Sequence, residues 1–207
     1  IAAATITGCH RASTRSGREA SVSSALFRAA GGYSEERYGH GAALLPDGRV
    51  LMAGGSDSTF SPLATAELYD PIRGTWNLTG PLTTRRFLPT ATLLRDGKVL
   101  VVGGNNGAAL DSAELYDPVT GTWRLTGSLA TPRSWHTATL LADDRVLVTG
   151  GDNASGTVNS PEIYDPATER FTAAAGSTLY DGGAWPNTRR VSARSPALPA
   201  ESLLRGD

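Results

Sequence analysis

The 207-residue chain has one cysteine, Cys9, and so can build neither an intrachain disulfide framework nor a thiolate metal cluster. Lys98 is its one lysine, and the other basic residues are arginines, a bias that reads as codon usage. No apolar run approaches the roughly 18 residues of a membrane-spanning helix. The stretch from Ile1 to Gly8 is mildly apolar but lacks a basic flank, and does not read as a signal peptide. With a formal net charge of −1, bulk electrostatics favour neither nucleic acid nor a membrane surface as partner.

At 40% hydrophobic and 19% charged residues, the chain is too apolar and too nearly neutral to be disordered throughout. Its 24 glycines and 12 prolines suit an all-β domain rich in turns. An internal repeat organises it. "GHGAALLPDGRVLMAGG" (39–55), "LPTATLLRDGKVLVVGG" (88–104) and "WHTATLLADDRVLVTGG" (135–151) align without gaps. Each is followed by a second phrase, "AELYDPIRGTW" (66–76), "AELYDPVTGTW" (113–123) and "PEIYDPATERF" (161–171). Tyr69, Tyr116 and Tyr164 lie 47 and 48 residues apart, and Trp76, Trp123 and Phe171 keep the same intervals. Counting back 49 residues from Trp76 reaches Phe27, which places the last strand of a preceding unit near Leu26–Gly31.

Each unit predicts four short strands. The first two, "GAALL" and "RVLMAG" in the first unit, flank Pro-Asp-Gly, whose Asp-Gly pair suits a tight hairpin. The third, "AELYD", ends at Asp-Pro, where proline presets a turn and removes a ladder donor. The fourth, "GTWNLTG", is expected to set Trp76 and Leu78 on one face. The recurrent tyrosines, tryptophans and Phe171 read as core, one set per unit, as packing between neighbouring sheets requires.

The double glycine, Tyr-Asp-Pro and following tryptophan make these units resemble kelch repeats, over about two thirds of the chain. The "LLPDGRVLVVGG" style of phrase resembles bacterial kelch proteins in particular. The resemblance implies an all-β fold, a β-propeller of kelch type like the central domain of galactose oxidase. We expect three four-stranded blades plus one stray strand, and so an incomplete propeller, since closed rings take about four to eight blades. The expected layout is a degenerate segment over 1–26, a last strand of a preceding blade with its linker over 27–36, blades over 37–79, 80–126 and 127–174, and an irregular tail over 175–207. Both ends are expected to be poorly ordered. By spacing a further inner strand would fall near position 184, where the sequence is polar, arginine-rich and broken by proline.

Loop lengths direct attention to one face. Between the double glycine and the strand-three glutamate lie 11, 9 and 10 residues (56–66, 105–113, 152–161), and this loop alone accounts for the unequal repeat lengths. It emerges on the same side as the linkers between blades, opposite the Pro-Asp-Gly and Asp-Pro turns. Variable loops on a constant scaffold commonly carry specificity. Candidate ligand-binding residues on it are Asp57, Phe60, Asn105, Asn106, Asp152 and Asn153, although the asparagines and aspartates also suit turns and lack the spacing of a calcium loop. Trp135, read as matching Tyr38 and Phe87, is expected to be partly exposed.

Arg37, Arg86 and Arg133 share one register, three residues before His40, Pro89 and His136. Two readings are open. Guanidiniums at the mouth of a central channel could bind an acidic peptide or anionic sugar; or they pair with Glu67, Glu114 and Glu162, which recur as well. His40 and His136 read as packed inner-strand residues, because Pro89 takes the same register between them. Asn77 and Asn153 begin N-x-S/T triplets, relevant only in a glycosylating secretory route.

No catalytic residue, cofactor or metal is expected. The glycine pairs close strands without opening a helix, and no nucleophilic triad order appears. The copper chemistry of galactose oxidase-like proteins does not carry over, since Cys9 lies outside the repeats and the recurrent tyrosines are of the core type. The expected function is a non-catalytic binding module for protein or carbohydrate. The alternative is a fragment of a larger kelch-type enzyme, such as a copper oxidase, whose catalytic residues are absent here. Partners could include a second copy of the chain or further blades from a longer one.

Overall fold

A computed structural model describes residues 31–174. The readings placed on Cys9, on the strand ending at Gly31 up to residue 30, and on the segment after 174 lie outside the described residues. Within them there is no helix, and the chain forms three antiparallel sheets, one per repeat.

Blade 1 is built from β1 (Gly41–Leu44), β2 (Val50–Ala53), β3 (Ala66–Asp70) and β4 (Thr75–Leu78), paired in sequence order. Blade 2 repeats this with β5 (Thr90–Leu93), β6 (Val99–Val102), β7 (Ala113–Asp117) and β8 (Thr122–Leu125). Blade 3 uses β9 (Ser134–Leu140), β10 (Val146–Asn153), β12 (Glu162–Asp165) and β13 (Arg170–Ala173), and adds a two-residue strand, β11 (Gly156–Thr157), folded back on the end of β10. The extra strand belongs to the variable loop and leaves the four-strand register intact.

The turns form where the sequence predicts and for the expected reason. In the first hairpins Asp47 and Asp96 accept the amides of Arg49 and Lys98, both at 3.0 Å, while Gly48 and Gly97 take φ of 86° and 85°. Blade 3 has no glycine there, and Asp144 adopts the left-handed conformation itself, with φ 72°. At the Asp-Pro turns, Asp70, Asp117 and Asp165 each accept the amide two residues on, at 2.8–2.9 Å.

The sheets stack through two apolar layers. Between blades 1 and 2, Leu51, Ala53 and Leu68 meet Val99, Val101 and Tyr116. Between blades 2 and 3, Leu100, Val102 and Leu115 meet Val146, Val148 and Tyr164. The first strands β1, β5 and β9 lie side by side, as the innermost strands of an arc. Polar contacts repeat at each junction. Gly55 N donates to Arg86 O at 2.8 Å and Gly104 N to Arg133 O at 3.0 Å. Further out, Gly80 N donates to Gly121 O and Gly127 N to Glu169 O, both at 3.1 Å. The Tyr116 hydroxyl bonds Thr79 Oγ1 at 2.7 Å and the Tyr164 hydroxyl bonds Thr126 Oγ1 at 2.8 Å.

Two expectations need correction. The aromatic core is graded: Tyr116 and Tyr164 are fully buried, Tyr69 is half-buried because among the described residues no blade stands behind blade 1, and Trp76, Trp123 and Phe171 on the outermost strands are half-buried alike. Leu78 shares a strand face with Trp76, as expected, and is exposed on the outermost strand. Trp135 also does not match Tyr38 and Phe87. It shares its register with Gly39 and Leu88, all three having positive φ (58°, 61° and 56°). The residue in line with Tyr38 and Phe87 is Ser134, which faces Asp152 as they face Ser56 and Asn105.

Candidate binding face

The three register arginines do not line a channel. Arg86 and Arg133 are fully buried and Arg37 nearly so, each turned into its own blade. Arg37 Nη2 reaches Glu67 at 2.8 Å, Arg86 Nη2 reaches Glu114 at 2.9 Å, and Arg133 Nη2 reaches Glu162 at 2.8 Å. The guanidiniums also donate to the first glycine carbonyl of each pair, at Gly54, Gly103 and Gly150, and to Thr65, Ser112 and Ser160 just before strand three. Each glutamate in turn accepts linker amides: Ser34 at 2.9 Å, Thr83 at 2.7 Å and Ala130 at 2.7 Å. The set is a clamp holding strand two, strand three and the incoming linker together. Burial lowers the Arg86 pKa and Glu114 opposes that shift; Arg133 behaves the same way with Glu162. The Arg86 and Arg133 donors are taken, Arg37 Nε alone lacks a partner in the protein, and all three guanidiniums are sealed from solvent, so Arg37, Arg86 and Arg133 are not ligand contacts at a channel mouth.

Other candidates are turn formers. Asp57 Oδ1 accepts the amides of Thr59 and Ser61 at 2.8 and 3.0 Å, and the Thr59 hydroxyl at 2.6 Å. Asn105 accepts the Gly107 amide at 2.9 Å. Asn153 donates to Pro132 O at 2.9 Å and accepts from Ser155 at 2.8 Å. Their side chains shape the loops. Asn106 and Asp152 are exposed with uncommitted side chains.

The aromatic candidates stand out into solvent. Phe60, 79% exposed, tops the first loop at φ 64°, and Trp135, 68% exposed, sits at the entry to β9. Two residues not chosen from sequence complete a platform: Tyr38 meets Phe60 edge-on at 5.9 Å between centroids and Phe87 at 5.0 Å. Phe87 lies across Gly39, where a Cβ would come within 2.3 Å of its ring. The shared register of Tyr38 and Phe87 was visible in the sequence, but the cross-blade contact was not.

The two faces differ in electrostatics. On the turn face, acidic groups are tied up: Asp47 with Arg49, Asp70 with Arg73, Asp96 with Lys98, Asp143 with Arg145 and Asp144 with Arg95. On the loop face, Glu36, Asp111 and Asp152 are exposed and unpaired. His136 is buried at the blade 2–3 junction, bonded through Nε2 to Thr90 at 3.0 Å, while its Nδ1 has no partner in the protein. Burial and then Arg133 lower its pKa to about 4. Partial burial and then Arg37 lower that of His40. Among the described residues, no group of three or more His, Cys, Asp or Glu is arranged to hold a metal ion.

A family model described as the kelch motif matches residues 87–129, from Phe87 through blade 2 to Leu129. The blade 2 unit is a kelch motif. Blades 1 and 3 carry the same strand order and register on either side of the matched kelch unit, and the sheets form an open arc. No curated protein matches the chain.

Proposed function

We propose that this kelch-repeat module is a non-catalytic binder that takes a protein or carbohydrate ligand on its loop face. The observation that carries this reading is the exposed aromatic set: Phe60 projects from the first variable loop and Trp135 from the start of β9, with Tyr38 packed on Phe60 and, across the blade boundary, on Phe87. Exposed aromatic rings beside uncommitted carboxylates and amides offer stacking area plus hydrogen-bond acceptors. That combination suits either a peptide or a sugar ring. The clamp arginines support the same reading indirectly, by making a rigid scaffold beneath the loops.

The test is selection against the wild-type chain, using a peptide display library and an immobilised glycan panel in parallel. Selected ligands should lose at least tenfold in affinity to a Phe60→Ser, Trp135→Ser double variant, corresponding to about 1.4 kcal/mol or more. They should bind a turn-face variant, Ile72→Ser, like wild type. Ligands indifferent to the double variant would move the site elsewhere.

A further inference from the structure

The arc ends in two unlike flanks, and each carries half of a junction that the molecule already makes twice. At the front of blade 3, Leu141, Leu147, Thr149, Pro161 and Ile163 are half-buried. Their counterparts in blade 2, namely Leu94, Leu100, Val102, Ala113 and Leu115, are buried against blade 3. At the rear of blade 1, Leu44 is 62% exposed and Val50 and Tyr69 are half-buried. Their counterparts in blade 2, namely Leu93, Val99 and Tyr116, pack against blade 1. Backbone positions tell the same story. A Cβ on Gly54 or Gly103 would sit 2.6 Å from the arginine carbonyl of the next blade, while Gly150 faces nothing within 4 Å.

We propose that the front of blade 3 receives the rear of blade 1 from a second copy of this chain, so that two copies close one six-bladed ring. The partner's rear face carries the counterparts of what blade 3 presents to blade 2, with Leu44, Val50 and Tyr69 in place of Leu140, Val146 and Tyr164, and Met52 and Trp76 in place of Val148 and Phe171. Copy number follows from the described residues, which form three blades per copy: three are too few for a closed propeller, nine exceed the usual four to eight, and six fall within it. A heterologous contact of this kind closes when its rotation divides the circle, and otherwise grows as an open polymer.

One departure in blade 3 fits this seam. Thr79-Gly80 and Thr126-Gly127 follow the strand-four aromatic in blades 1 and 2, and each glycine bonds the outer turn of the next blade. Blade 3 has Ala174-Ala175 instead. At the rear of blade 1 that bond is already made from within the chain, by Gly31 N to Gly74 O at 3.1 Å. Ser34 N likewise already occupies Glu67 at 2.9 Å. A docking blade 3 therefore needs to supply strands and apolar surface there, and no linker.

The test is solution mass by light scattering across a concentration series, with circular dichroism on the same samples. The expected result is a monodisperse β-rich species of twice the 21.5 kDa chain mass. Ile163→Arg on the front and Leu44→Arg on the rear should each lower the mass to 21.5 kDa. Mixing the two variants should restore the doubled mass, since one intact front then meets one intact rear; chains that had merely unfolded would not complement. A folded wild-type monomer, a mass that climbs with concentration past two copies, or variants that keep the doubled mass would overturn the proposal. The first of these results would mean that a different chain segment covers the flank.

Discussion

Blades 2 and 3 share strand order, register, hairpin turns and an arginine–glutamate clamp, yet they differ in what surrounds them. Blade 2 has a neighbour on both sides, and Leu100 and Val102 are completely buried. Blade 3 has one on its rear side only, and the equivalent Leu147 and Thr149 remain half-buried. The same comparison holds for Tyr116 against Tyr69. A blade makes its own hydrogen-bonded sheet, but half of its hydrophobic stabilisation belongs to whatever stacks on it.

The comparison can be broken first at the clamp. Glu114→Ala in blade 2 would strand Arg86 as a buried charge without its counterion, costing about 3–5 kcal/mol by urea unfolding. Clamp burial is internal to each blade, so Glu162→Ala should cost nearly as much; a much smaller loss would show that neighbouring blades, rather than the clamp, do the burying.

Packing should separate the blades more sharply. Leu100→Ala is expected to cost about 2–5 kcal/mol, as for other buried leucines. For Leu147→Ala measured on the dissociated Ile163→Arg background the loss should be under about 1.5 kcal/mol, because much of that side chain already meets water. Equal losses would refute the claim that burial is set by the neighbour.

The blade 2–3 junction should also be pH-sensitive. His136 titrates near 4 in the folded chain against an ordinary 6.5, so folding favours its neutral form. That contribution is fully present above about pH 6.5 and is lost as pH falls toward 4, by about 2 kcal/mol between pH 7 and 5. Carboxylates titrate in the lower part of this range too, so the measurement is the wild-type loss minus that of His136→Gln. A difference of zero would mean that the imidazole gains no protonation penalty from the junction.

The smallest effect expected is at the tyrosine hydroxyls. Tyr116→Phe removes the bond to Thr79 and should cost about 1 kcal/mol. Tyr69→Phe, on the open flank, should be close to neutral by thermal unfolding.

The strands and hairpins were legible in the repeat because each is governed by local rules: alternation, Asp-Gly and Asp-Pro turns, and a nearly constant interval between tyrosines. The recurrence of Arg37, Arg86 and Arg133 with Glu67, Glu114 and Glu162 was legible too. Its direction was not, since a side chain at the entry to a strand can turn outward or inward, and only the glycine carbonyls and strand-three glutamate waiting inside decide it. Trp135 shows the limit of register read by eye. The phrase aligned correctly from His136 onward, but the residue in line with Tyr38 is Ser134, and the positive φ shared by Trp135, Leu88 and Gly39 is a backbone property.

The sequence by itself determined that this chain repeats a four-stranded unit three times, because periodicity and turn chemistry act within a few tens of residues. Tertiary structure alone decided which recurrent residues became framework and which became surface. Arg86 and Phe60 both read as candidate contacts. One is sealed inside by a partner 28 residues away and the other stands free in solvent, because burial depends on neighbours that the repeat pattern does not name.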